Sequence, residues 1–92
     1  MIEIHAQIHD HTLAEELLEL DLPGVTILTR LTAAGGPAEG FDLFLQFVDK
    51  YAYPVFLVWL GKQIGKEEGT KDARERLEEL RKIRAAVEKL SD

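Results

Sequence analysis

The chain has 92 residues and a formal net charge of −6, a size that supports one small domain burying roughly 60–65% of its unfolded surface. Hydrophobic residues make up 46% and charged residues 30%, a globular rather than a disordered composition. With no cysteine, disulfide frameworks, thiolate metal sites and thiol nucleophiles are excluded.

Charge is unevenly distributed. Residues 1–60 carry two basic residues, Arg30 and Lys50, against nine acidic ones, while residues 61–92 carry nine basic and eight acidic. Neither part offers the concentrated basic face that neutralises phosphates, so DNA and RNA are not expected partners. The start MIEIHAQIHDH lacks the basic-then-apolar run of a signal peptide, and a cytoplasmic location is expected.

Ile2, Ile4, Ala6 and Ile8 alternate with Glu3, His5, Gln7 and His9, the period of a half-buried strand. Thr12 with Glu15 fits a capping box. The helix it opens, Leu13 to Leu20, sets Leu13, Leu17 and Leu20 on one stripe and leaves Glu15, Glu16 and Glu19 wet. Leu22-Pro23-Gly24 ends it, and Val25 to Thr32, VTILTRLT, reads as a second strand. The span between the strands is long enough for a parallel crossover, which needs roughly a dozen residues; antiparallel pairing stays open. Residues 33–40, AAGGPAEG, read as a glycine-rich joint.

Phe41 to Ile64 holds all four phenylalanines, both tyrosines and the only tryptophan. It is expected to be a proline-kinked hydrophobic helical segment: one piece from Phe41 to about Ala52, a break, and a second from Pro54 to about Ile64. Val55 to Leu60 is apolar throughout, so that piece needs cover on every side. Gly61, Gly65 and Gly69 punctuate the chain after the apolar run that ends at Leu60. A last amphipathic helix, residues 70–90, places Ala73, Leu77, Leu80, Ile83, Val87 and Leu90 on one stripe, with Arg74–Glu78, Glu78–Lys82 and Arg84–Glu88 as i,i+4 pairs. Such regularity suits a natural or a designed chain equally. The whole is a single α+β domain: a strand–helix–strand unit (2–32), the joint, the hydrophobic segment (41–64) and the closing helix.

Chemical motifs are sparse. His9 and His11 have an HxH spacing that on a strand places two imidazoles about 6.6 Å apart, a start toward a zinc site that wants a third ligand. His5 lies roughly 13 Å away along the strand, so surface histidines at a strand end are the preferred reading. The GGPAEG loop lacks the Gly-Lys-Ser/Thr of a phosphate cradle. Ser91 is the only serine. Asp42 and Asp49 are carboxylates available for acid–base work, but no spacing marks a shared pocket, and Asp49-Lys50 reads as a solvent-facing pair. No catalytic residue and no cofactor are expected.

The apolar run Tyr51 to Leu60 spans ten residues, about half of what crosses a bilayer. Two strands and one short helix are thin cover for such a segment, and small strands leave edges that another copy can pair with. Self-association or partner docking is therefore expected, with Phe44, Phe47, Tyr51, Phe56 and Trp59 as contact residues, because aromatics dominate such contacts.

IEIHAQIH, LAEELLEL, VTILTRLT, GGPAEG and FDLFLQFVDKYAYPVFLVWLGKQI, covering residues 2–64, together resemble the small effector-associated constant component modules of bacterial conflict systems. The long final helix departs from that pattern. The resemblance implies a non-catalytic adaptor coupling proteins of a defence or signalling system, and it carries over no catalytic residue. The rival readings are a peripheral membrane or pore-related effector using the same helix, a small metal protein built on His9 and His11, and a designed chain without a biological role.

Overall fold

Alternation in three segments and helical spacing in three others build an α+β domain in the order β1 (Ile2–Ile8), α1 (His11–Glu19), β2 (Val25–Leu31), β3 (Phe41–Phe47), α2 (Ala52–Glu67) and α3 (Arg74–Ser91). The computed structural model describes residues 2–31 and 40–91. The glycine-rich joint expected at 33–40 therefore lies outside the described residues except for Gly40.

The sheet has the order β1-β3-β2, and β3 is antiparallel to both neighbours. The two strands of the strand–helix–strand unit thus run in the same direction but are held apart by β3. That central strand is the main departure from the expected architecture, in which Phe41 to Ala52 is helical. In FDLFLQF, Phe41, Leu43, Leu45 and Phe47 occupy one face while Asp42, Phe44 and Gln46 occupy the other. The period of two, together with the strand preference of phenylalanine, outweighs overall apolarity.

α2 begins at Ala52, so Pro54 is its third residue, and strand β3 stands where the first helical piece is expected. In the first turn its missing N–H has no intrahelical partner to lose. α2 then runs on through Gly65 to Glu67, three residues past the end expected near Ile64. α1 is capped two residues earlier than expected. Asp10, not Thr12, is its N-cap, and its Oδ1 accepts from the Leu13 N–H at 2.9 Å.

All three helices contribute to one core against a single sheet face. Ile4, Ala6, Ile8, Leu43, Leu45 and Phe47 from the sheet meet Leu13 and Leu17 of α1, Phe56, Leu60 and Ile64 of α2, and Leu80, Ile83 and Val87 of α3. The stripe expected on α3 is this contact. Its last member, Leu90, is exposed. The pairs Arg74–Glu78 and Arg84–Glu88 form on its outer side at 3.6 and 3.5 Å.

Candidate interaction surface

The second sheet face carries the even residues of β2 and β3 and the odd residues of β1. Cross-strand register sets them in three rows: Glu3–Gln46–Thr26, His5–Phe44–Leu28 and Gln7–Asp42–Arg30. No described helix covers them. The middle row sets Phe44 and Leu28 beside His5. Leu28 is 49% exposed, and the imidazole of His5 stacks on Phe44 with ring centroids 4.9 Å apart and planes 16° from parallel.

Polar contacts hold both flanking rows. Gln46 Nε2 donates to Glu3 Oε2 at 2.8 Å. On the other side Asp42 takes His5 Nε2 at 3.0 Å through one oxygen and Arg30 at 3.5 Å through the other. Phe44 and Leu28, with the His5 ring stacked on Phe44, thus lie between two polar rows held by cross-strand contacts. Asp42 is available as an acid or base from sequence alone, but both of its oxygens serve this cross-strand lock.

The five expected contact residues separate sharply. Phe47 and Phe56 are both 0% exposed; they form the core with Tyr53, whose ring meets Phe47 edge-on at 4.9 Å. Their assignment to an interface is corrected, because a side chain filling the domain's own core has no surface to offer. Trp59 is half-buried, stacked against Phe56 at 5.9 Å. Phe44 lies in the open sheet row. Tyr51 is 74% exposed, and with Pro23, Val48 and Val55 it lines a shallow hollow beside the start of α2. Within Val55 to Leu60, Phe56 and Leu60 are buried, Val55, Leu57 and Trp59 are half-buried, and Val58 is exposed. The helix is thus covered on most sides by its own domain, and the exposed large hydrophobic residues among those described are spread over Leu18, Leu28, Val48, Tyr51, Val58 and Leu90.

The histidine corner does not assemble as a pair on a strand. His11 is the first residue of α1, with its ring edge-on to Phe41 at 4.8 Å, while His9 lies beyond the end of β1 and packs beside Gly40. Among the described residues no group of three His, Cys, Asp or Glu side chains is placed to hold a metal ion. Asp49 and Lys50 are both exposed; Asp49 Oδ1 accepts the Tyr51 N–H at 2.9 Å and Lys50 lies over the Tyr51 ring.

Two charged groups of structural weight carry no signal in the sequence. Glu79 is buried on α3, and its carboxylate receives the backbone N–H groups of His9 at 2.5 Å and Asp10 at 2.8 Å. Arg76, with a side chain only 12% exposed, joins Glu16 of α1 to Glu67 and Gln63 of α2. Glu16 therefore has a partner rather than a purely solvated role. Arg76 Nε lies 3.3 Å from Glu67 Oε1 yet off the line of a hydrogen bond. These groups border an open crevice of about 540 Å³, whose arginine is already neutralised from within the domain. An i,i+3 pair such as Arg76–Glu79 reads as ordinary helix-surface charge; only the packing of α3 against β1 and α1 separates the two.

No described helix is long and apolar enough to cross a membrane. No protein-family model, curated protein or solved structure matches the chain.

Proposed function

We propose that the protein is a non-catalytic protein–protein interaction module, an adaptor that self-associates or docks a protein partner. The observation that carries this reading is the His5–Phe44–Leu28 strip with its polar rims. A row with Phe44 and Leu28 at the centre of a sheet face, flanked by side chains fixed in cross-strand pairs, offers a pre-ordered surface that loses little entropy on contact. Its setting is a bacterial defence or signalling system, as the resemblance over residues 2–64 implies.

Sedimentation across concentrations tests the reading. The expected mass exceeds that of one 10.4 kDa chain at high micromolar concentration and falls on Leu28→Asp, while Tyr51→Ser leaves it unchanged. A wild-type mass of one chain throughout removes self-association. An assembly that survives Leu28→Asp and dissolves on Tyr51→Ser moves the surface to the α2 corner.

A further inference from the structure

The two edges of the sheet are not equivalent, and their difference selects an occupant. The Val48 N–H donates to the Gly24 carbonyl at 2.9 Å. With β2 and β3 antiparallel and Gly24 opposite Val48 by continuation of the register, hydrogen-bonded pairs fall on the even residues of β2. Thr26, Leu28 and Arg30 therefore direct their backbone groups at β3. Ile27 and Thr29 direct theirs outward, where no described residue receives them.

α3 crosses the outer edge of β1 at that strand's C-terminal end. Lys82 Nζ donates to the Gln7 carbonyl at 2.8 Å, and Glu79 takes the His9 N–H just beyond. A strand laid along β1 would have to displace both. The core side shows the same asymmetry. Inward residues of β1 such as Ile4 and Ile8 are buried, whereas Val25 and Ile27 of β2 remain half-buried. Among the described residues, α3 crosses the outer edge of β1 at its Gln7 end, whereas no described element crosses the outer edge of β2, whose inward face is also the more thinly covered.

We infer that β2 pairs antiparallel with β2 of a second copy about a two-fold axis at Leu28, giving a six-stranded sheet. This assignment rests on the association reading above and specifies its partner. In that register Ile27 faces Thr29 of the second copy as a hydrogen-bonded pair, using the outward N–H and C=O groups of each. Leu28 meets Leu28 of the second copy as a non-hydrogen-bonded pair, where Cα atoms approach to about 4.5 Å and side chains touch. The two strips join into one, running His5–Phe44–Leu28 and then the same residues in reverse order. Arg30, the only charge on β2, faces Thr26, so no like charges oppose. Shifting the axis to Ile27 or Thr29 instead places Leu28 opposite Thr26 or Arg30 and leaves its apolar surface without an apolar partner. Because a two-fold contact uses the β2 edge of each copy once, β2–β2 addition closes at two copies, and α3 further hinders pairing at the Gln7 end of β1.

Two variants test the pairing. Thr29→Pro removes an N–H that β3 does not use, in a strand edge where proline is tolerated, so the monomer keeps its circular dichroism and unfolding midpoint. Its dimer dissociation constant is expected to rise at least tenfold by sedimentation equilibrium. Leu28→Cys introduces the chain's sole cysteine at a Cα separation compatible with a disulfide across the axis. Mild oxidation at low micromolar concentration is expected to yield a covalent dimer, whereas Val58→Cys, exposed on α2, does not. A wild-type dimer that persists in Thr29→Pro without a Leu28→Cys cross-link overturns the edge pairing while leaving association intact. A wild-type chain that stays monomeric overturns both the pairing and self-association. Should Thr29→Pro unfold, the cysteine pair decides: a cross-link at position 28 alone supports the pairing, and its absence overturns it.

Discussion

The carboxylate of Glu79 receives the backbone N–H of Asp10 at 2.8 Å from 69 positions further along the chain. The same group takes the N–H of His9, so one acidic side chain of α3 satisfies two donors at the entrance of α1. An anion at a helix N-terminus is favourable in its own right, and charge-assisted bonds are the stronger kind. Replacing Glu79 by alanine removes the carboxylate that accepts from two part-buried N–H groups and is expected to cost about 2–3 kcal/mol. Glu79→Gln retains one acceptor oxygen and is expected to cost less. Urea unfolding of the two variants checks the order; equal loss in both would assign the effect to packing.

Glycine-to-alanine substitutions are expected to have opposite signs at two sites. Gly61 lies inside α2, and a Cβ there meets nothing within 4 Å. Gly61→Ala should stabilise by about 0.8–1 kcal/mol, the helix-propensity difference. Gly24 has φ of 77°, and its Cβ would sit 2.9 Å from Val48 Cγ1 and 3.2 Å from Ala52 Cβ. Gly24→Ala should destabilise by more than about 1 kcal/mol, since strain and collision add. Urea midpoints with unchanged m-values provide the measurement.

The aromatic residues should sort by burial. Phe47→Ala and Phe56→Ala open cavities in the shared core, and each is expected to lose about 3–5 kcal/mol. Tyr51→Ser, at an exposed site, should stay within about 0.5 kcal/mol of the parent. Thermal unfolding separates the two groups; a large loss at Tyr51 would show that it packs more tightly than its exposure implies.

Arg76 ties three helices together, and its partners differ in solvent contact. The Glu67 side chain is 22% exposed and that of Glu16 is 45%. Screening weakens the more exposed pair, so double-mutant cycles are expected to give coupling of about 1 kcal/mol or more for Arg76–Glu67 and about 0.5 kcal/mol for Arg76–Glu16. Raising salt should erode the second more than the first. Equal coupling in both cycles would place the two carboxylates in the same environment.

Much of the fold is legible from local pattern. The alternation in IEIHAQI, the β-branched run after Pro23-Gly24 and the stripe on α3 each identify an element, because side-chain direction follows the backbone period. Phe41–Phe47 carries the same alternation, yet its near-continuous apolarity and the nearby Pro54 suggest helix. Short apolar runs are ambiguous in this way, since a strand at the centre of a sheet and a buried helix are both rich in large hydrophobic residues.

The sequence by itself determined where the chain alternates, where it winds and where it turns, because those preferences act over a few neighbouring residues. Tertiary structure alone decided that β3 inserts between β1 and β2, that Phe47 and Phe56 lie inside while Phe44 and Leu28 lie on the opposite sheet face, and that Glu79 and Lys82 of α3 bind the C-terminal end of β1. Each of these depends on contacts between distant segments, whose loop-closure entropy must be offset by burial summed over the whole core.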